Sequence, residues 1–170
     1  MTIKTRELLL RDGSRVFVRS LGTGSAGNLT VRASSIRLDN QSGIVADTRS
    51  NRNNPDKPQA TITLNIKDLL LLRDRSRITA NARGENVVGG SITIDSPNGF
   101  VVAIPNEISF ISTNSNNDRG GKVSINARSV LGFQLPPAGT EKSYISARGA
   151  RPDLSGIIQI NTPEVDPARE

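Results

Sequence analysis

The stretch that determines the fold is Gly89-Gly90-Ser91-Ile92-Thr93-Ile94, a glycine turn followed by a short strand of alternating apolar residues. Close copies of this Gly-x-apolar-x-apolar pattern recur along the chain. Their first positions are Gly27, Ala60, Gly90, Gly121 and Gly156, with alanine replacing glycine once. The intervals between their first apolar residues are 33, 30, 31 and 35 positions. A nearly constant interval of this length indicates a repeat protein.

A second pattern has the same period, and it consists of a serine followed two positions later by an apolar residue. The pairs are Ser14/Val16, Ser42/Ile44, Ser76/Ile78, Ser109/Ile111 and Ser143/Ile145, at intervals of 28, 34, 33 and 34. A third apolar run recurs between the two patterns, at residues 8–10, 36–38, 69–72, 100–104 and 130–133. Each period thus contains three short runs separated by turns. Their period-2 alternation is typical of strands that bury one side.

One such period cannot bury its apolar side alone, so successive periods stack and equivalent strands pair in parallel. Connections between parallel strands are almost always right-handed. The sequence therefore predicts one all-β domain over residues 1–170, a right-handed single-stranded parallel β-helix of about five to six coils. Residues 161–170 are predicted to be a capping tail, because Pro163 and Pro167 cannot donate hydrogen bonds to a ladder.

Residues 67–74 offer a helical alternative, because Lys67-Asp68-Leu69-Leu70-Leu71-Leu72-Arg73-Asp74 could begin an amphipathic helix. The run is shorter than most helices. Its counterparts in other periods are rich in valine and phenylalanine and lie near glycine or proline, which favours a strand.

The composition limits the chemistry that the chain can perform. The 170 residues contain no cysteine and no histidine, which excludes the usual zinc sites, thiol nucleophiles and imidazole bases. Residues 22–27 satisfy Gly-x-Gly-x-x-Gly, but a strand pattern follows, whereas dinucleotide binding needs a helix there. We therefore expect no cofactor, no metal ion and no small-molecule substrate.

The net charge of +6 suits an acidic partner, although the arginines are spread over many segments. Four inserts of variable length follow the Ser-anchored runs, at residues 47–59, 81–89, 114–120 and 149–155. They project from one side of the predicted rod, here called the loop side, where length changes do not disturb the core. The basic residues predicted to contact acidic glycans there are Arg49, Arg52, Lys57, Arg83, Arg119 and Arg151.

Four acidic residues and one asparagine stand two positions before the serines, as Asp12, Asn40, Asp74, Glu107 and Glu141. Such a row could hold Ca²⁺ or attack a polysaccharide by acid/base chemistry. A solvated turn is the preferred interpretation, because any repeat protein stacks equivalent turn residues. We therefore assign no catalytic residue, and Asp74 and Glu107 are the candidates only if the chain is an enzyme.

Several segments resemble the filamentous-haemagglutinin-type exoproteins of two-partner secretion, of the cyanobacterial type. The motifs are Gly90-Ser91-Ile92-Thr93-Ile94, Gly121-Lys122-Val123-Ser124-Ile125-Asn126-Ala127, Ser143-Tyr144-Ile145-Ser146-Ala147-Arg148 and Gly156-Ile157-Ile158-Gln159-Ile160-Asn161-Thr162-Pro163-Glu164-Val165-Asp166-Pro167. The resemblance implies a right-handed β-helical rod, exported by an outer-membrane β-barrel transporter and adhesive at the cell surface. Members begin with a signal and a secretion domain. Residues 1–7 lack the order of a signal peptide, so the chain is expected to be the C-terminal part of a longer repeat region.

We therefore predict a non-enzymatic structural or adhesive segment of a secreted or cell-surface exoprotein, with surface polysaccharide as its partner. Two other classes of function are open. One is a polysaccharide-cleaving β-helix enzyme, and the other is a basic nucleic-acid binder, although we expect no nucleic-acid partner. An isolated fragment without independent function is the remaining alternative.

Overall fold

The computed structural model describes residues 1–20, 26–49, 60–135 and 141–163. This part of the chain is built from strands, with one short 3-10 helix at Pro152–Leu154 and no α-helix. The strands are β1 (Thr2–Lys4), β2 (Glu7–Leu10), β3 (Arg15–Phe17), β4 (Gly27–Leu38), β5 (Gly43–Val45), β6 (Ala60–Leu72), β7 (Arg77–Thr79), β8 (Ser91–Ala103), β9 (Phe110–Ser112), β10 (Lys122–Leu131), β11 (Tyr144–Ser146) and β12 (Ile157–Asn161).

The strands form two parallel sheets that wind together as a β-solenoid. The five-stranded sheet has the order β11-β9-β7-β5-β3, with one short strand from each coil. The seven-stranded sheet has the order β1-β4-β6-β8-β10-β12, and β2 also pairs with β4. Every strand therefore pairs with its counterpart one coil away, as the repeat predicts.

The register confirms all three sequence patterns. The first apolar residues of the Gly-anchored copies pair in one column of Leu29, Ile62, Ile92, Val123 and Ile158. The apolar residues of the serine pattern form a second column of Val16, Ile44, Ile78, Ile111 and Ile145. The third run also stacks, from Leu8 on Ile36 to Val101 on Val130. The predicted all-β parallel solenoid is confirmed.

One detail of the prediction is wrong, because no turn separates the Gly-anchored run from the third run in coils two to four. Both belong to one long strand, β4, β6 or β8, and β10 behaves likewise. The ladder bends at a register shift, for example between Ala33 and Ser35. At such a bulge the strand changes direction while it stays paired with the neighbouring strand, so no turn residues are needed. The helical alternative for residues 67–74 is also wrong, since β6 extends to Leu72.

The core lies between the two sheets and contains aliphatic side chains. Alternate residues of β6, such as Ile62, Leu64 and Leu70, are fully buried while their neighbours face outward. Burying each such side chain stabilises the fold by about 1.5–3 kcal/mol. Four of the five anchoring serines are buried too, the exception being the exposed Ser14 in the first coil, and the hydroxyl of Ser42 donates to the carbonyl of Leu10 at 3.0 Å. The serine pattern therefore marks buried turn residues.

The described inserts lie where the sequence places them, between a strand of the five-stranded sheet and the next long strand. A backbone hydrogen bond closes each one, as when Gly90 N–H donates to Ala80 O and Gly121 N–H donates to Thr113 O, both at 2.7 Å. Residues 50–59 of the first insert lie outside the described residues. Insert length can therefore vary without changing the stacked coils.

Candidate anion-binding cleft

The structure brings together two of the six predicted glycan-contact residues. Arg49 and Arg83 both line a cleft of about 100 Å³ on the first three coils. They belong to successive inserts, and the stacking of the coils places them side by side. Arg52 and Lys57 lie outside the described residues, so their assignment stays a prediction.

The other two predicted residues do not reach this cleft. Arg119 and Arg151 are exposed on later inserts of the loop side. Arg151 forms an ion pair with Asp153 at 3.2 Å, and both side chains are about two-thirds exposed. An exposed pair of this kind contributes little to stability. These two residues extend the basic surface but do not build a defined pocket.

The cleft, here called the arginine cleft, combines basic residues from three coils. Strands β3, β5 and β7 form its wall, and the segments that follow these strands complete it. Its lining residues are Arg15, Phe17, Val18, Arg19, Val45, Asp47, Arg49, Arg77 and Arg83. Five arginines therefore surround one aspartate. Three of them, Arg15, Arg19 and Arg77, are not among the glycan-contact residues predicted from the sequence.

A glycine makes room for this arrangement. Arg15, Gly43 and Arg77 are paired neighbours in one outward-facing column. A Cβ added to Gly43 would lie 3.2 Å from Cγ of Arg77 and 3.0 Å from its carbonyl oxygen. The stem of Arg77 thus packs over Gly43, in space that a side chain would otherwise fill. Further along the column the residues are aromatic, and the rings of Phe110 and Tyr144 stack with centroids 5.2 Å apart.

The arginine cleft carries an excess of positive charge. Burial lowers the pKa of Arg77 from its ordinary value, and the nearby Arg15 and Arg83 lower it further while Asp47 opposes the shift. Arginine remains protonated in proteins despite such shifts. Among the described residues, the ion pairs are Arg37–Asp39, Arg73–Glu107 and Arg151–Asp153. None of them involves an arginine of the cleft, so an anion would lower the mutual repulsion of these charges.

The single acidic residue of the cleft has a second role in the fold. Oδ1 of Asp47 accepts hydrogen bonds from Thr79 Oγ1 at 2.8 Å and from the backbone N–H of Asn81 at 3.0 Å. Oδ1 of Asn81 accepts the two equivalent hydrogen bonds one coil later, from Ser112 Oγ at 3.0 Å and from the backbone N–H of Asn114 at 2.8 Å. Asn114 repeats the arrangement toward the last coil. We call this row the Asx ladder, and it fixes the position of the Asp47 carboxylate.

An aromatic ring borders the arginine cleft. The side chain of Phe17 is 53% exposed, and Cζ of Arg19 lies 5.5 Å from the centre of its ring. A guanidinium at this distance is attracted to the ring face. The contact holds Arg19 toward the cleft, and Phe17 adds an apolar rim to an otherwise charged opening.

The predicted acidic row lies at the tight turns before the five-stranded sheet. Asp12, Asn40 and Asp74 have φ values of 53°, 48° and 41°. Asparagine and aspartate tolerate this left-handed conformation better than most residues, which explains their recurrence. The Nδ2 of Asn40 donates to Oδ1 of Asp12 at 2.7 Å. The row therefore has a conformational role at these turns.

Glu107, one of the two carboxylates named for the enzymatic alternative, is already engaged. Arg73 donates to both of its oxygens, from Nε at 3.0 Å and from Nη2 at 2.7 Å, and the backbone N–H of Asp74 donates at 2.9 Å. The hydrogen bonds from Arg73 lower the pKa of Glu107 below its ordinary value, although burial opposes this. The enzymatic hypothesis stays untested, but these contacts favour a structural role for Glu107.

Comparison with known proteins adds no identification. No family model, no curated protein and no solved structure matches the chain. Within the described residues, no helix is long and apolar enough to span a membrane. No group of three or more acidic side chains in the same residues is placed to hold a metal ion.

Proposed function

We propose that this chain is a non-enzymatic structural and adhesive segment of a secreted or cell-surface exoprotein, and that it binds acidic polysaccharide on its loop side. The observation that carries the proposal is the arginine cleft, in which five arginines face one aspartate and none forms an ion pair with a described residue. Guanidinium groups suit carboxylate, sulfate and phosphate groups, because their planar donors form paired hydrogen bonds.

The shape of the molecule supports the same proposal. A solenoid presents equivalent side chains at about 4.8 Å intervals along its length, so one polymer chain can contact several coils. Arg119 and Arg151 lie on later inserts and extend the basic surface beyond the arginine cleft. A polymer that contacts several weak sites binds more tightly than any one site would allow.

The resemblance to filamentous-haemagglutinin-type exoproteins supports the location that we propose. In such a protein the segment would reach the cell surface or the medium through an outer-membrane β-barrel transporter. These two elements, the location and the transporter, rest on the resemblance alone. The polysaccharide proposal also rests on the cleft, so it can be tested on the purified chain.

The test is binding of the purified chain to an immobilised sulfated polysaccharide, a polyuronate and a neutral glucan, measured by biolayer interferometry. We expect binding to an acidic polymer, weaker at high salt because the charges are screened, and no binding to the glucan. The double variant Arg49→Gln/Arg83→Gln should weaken binding about tenfold or more, since hydrogen bonds between charged groups contribute about 1.5–3 kcal/mol each.

The matched control is Arg32→Gln/Arg128→Gln, which removes the same charge from exposed positions on the seven-stranded sheet. We expect this variant to bind nearly as well as the unmodified chain. Equal losses in both double variants would mean that net charge alone drives binding. Absence of binding to both acidic polymers would refute the proposed function.

A further inference from the structure

We propose that the arginine cleft binds one tetrahedral oxyanion group, a phosphate or sulfate monoester on a larger molecule, in preference to a carboxylate. The inference rests on the proposed function and specifies which acidic group the cleft selects. Three properties of the cleft support this inference. They are its volume, its charge and the different directions from which the arginine side chains extend into it.

The volume of the cleft fits a single anionic group. Pockets for whole drug-sized ligands measure about 300–1,000 Å³. The arginine cleft measures about 100 Å³, well below that range. A space of this size suits one ester group and leaves most of a larger molecule outside. The exposed ring of Phe17 at the rim is placed to contact that remainder.

The charge of the cleft exceeds what one carboxylate can neutralise. Five arginines and one aspartate leave an excess of four positive charges. A carboxylate or a sulfate monoester brings a single negative charge, whereas a phosphate monoester carries about −1.5 to −2 at pH 7, so the charge of the cleft favours phosphate of the two esters. Because Arg77 is partly buried and lies near Arg15 and Arg83, water screens an added charge beside it less than it would at a fully exposed arginine.

The donors enter from different directions. Arg15 and Arg77 extend from one column of the five-stranded sheet. Arg19, Arg49 and Arg83 come from the segments after strands β3, β5 and β7, in three successive coils. One guanidinium fork already satisfies both oxygens of a planar carboxylate. A terminal phosphoryl or sulfuryl group offers three oxygens that point apart, which suits several forks around it.

Asp47 provides a variant that alters the charge of the cleft without altering the fold. Its Oδ1 accepts two hydrogen bonds in the Asx ladder, and Asn81 and Asn114 accept the equivalent bonds through an amide oxygen. Asp47→Asn should therefore keep the ladder and remove the only negative charge that the described residues contribute to the lining of the cleft. The structure thus predicts an increase in anion affinity for this variant, of up to about fivefold.

The experiment measures binding of methyl phosphate, methyl sulfate and acetate to the full chain by NMR titration at constant ionic strength. We expect at least one ester to bind about tenfold or more tightly than acetate. Arg15→Gln/Arg77→Gln should reduce that affinity about tenfold, Asp47→Asn should raise it, and Arg32→Gln/Arg128→Gln should leave it unchanged. Thermal unfolding of each variant verifies that it is folded before the titrations are compared.

The pH dependence distinguishes the two esters. Methyl phosphate gains its second charge near pH 6, so its affinity should rise between pH 5.5 and pH 7.5 if the cleft selects phosphate. Methyl sulfate and the arginines do not titrate in this interval, so a sulfate site would show a constant affinity. The source is identified by which ester binds more tightly at pH 7.5, and a rise in methyl phosphate affinity with pH verifies that the doubly charged form is the one bound.

Two outcomes would overturn the inference. One is acetate binding as tightly as both esters, and the other is ester binding that the Arg15→Gln/Arg77→Gln variant does not reduce. If the chain binds a polyuronate through the cleft but neither ester, the proposed adhesive function stands and only this inference falls. If the chain binds no acidic polysaccharide but binds an ester in the cleft, the adhesive proposal fails and the oxyanion site remains.

Discussion

Each member of the Asx ladder accepts hydrogen bonds from two donors of the next coil. For the stability of the fold, its side-chain oxygen is therefore more important than its charge. Asn81 accepts from Ser112, which is buried, and from the backbone of Asn114. Asn81→Ala would leave both donors without this acceptor. We expect the free energy of unfolding to fall by about 1–3 kcal/mol, because unsatisfied buried donors carry their full desolvation cost. Urea denaturation followed by circular dichroism measures the change.

Asn81→Asp is the matched control, because aspartate already occupies the same ladder position in the preceding coil. Its carboxylate oxygen can accept both hydrogen bonds, so we expect a change well below that of Asn81→Ala. A stability of Asn81→Ala equal to that of the unmodified chain would show that the ladder contributes nothing to folding.

At the scale of strands and turns, the corners before β8 and β10 depend on glycine, at Gly90 and Gly121. Gly121 packs against the coil before it, and an added Cβ would overlap the carbonyl oxygen of Gly90. That oxygen accepts the backbone N–H of Lys122 at 3.0 Å. Gly121→Ala should therefore destabilise the fold by about 1–3 kcal/mol, the range of other overpacked substitutions. The midpoint of urea denaturation tests this.

Lys122→Ala, at the exposed neighbouring position, is the control for Gly121→Ala. Surface substitutions of this kind usually change stability by less than about 0.5 kcal/mol. If Gly121→Ala were as stable as this control, the two coils would not be in close contact at the glycine column. The same column begins with Gly27 and Ala60, so close approach is not equally strict in every coil.

The strand columns could be predicted from sequence, whereas the cleft could not be predicted completely. Isoleucine at positions 44, 78, 111 and 145 repeats at a fixed interval, and a fixed interval specifies stacking. The absence of a turn near Ala33 was missed because a bulge has no required residue type. Arg15 and Arg77 stand between the serine and the apolar residue of their repeats, so alignment of that outward position would have placed them in one column, on either side of Gly43. The aliphatic part of the Arg77 side chain packs over Gly43 because of the direction in which that side chain extends. The spacing of residues in the sequence does not specify this direction.

At the scale of the whole molecule, each coil contacts only the coils on either side, so local stability should depend on position along the rod. Strands β6 and β8 have a paired strand on both edges, whereas β12 pairs with β10 alone. The burial of core residues also decreases from the middle toward the last coil, since Ile92 is fully buried and Ile160 in the last coil is 37% exposed. In a solenoid, opening that begins at an end coil disrupts one interface, while opening in the middle disrupts two.

Amide hydrogen exchange of the isolated 170-residue chain tests this gradient. We expect the slowest exchange in β6 and β8, and exchange at least about tenfold faster in β1 and β12, because end coils open without unfolding the rest. Adding a ligand of the arginine cleft should slow exchange in β3, β5 and β7 and leave β12 unchanged, since the ligand would join only the first three coils. Uniform protection along the chain would instead mean that all coils unfold together, and binding at the cleft would then stabilise every strand equally.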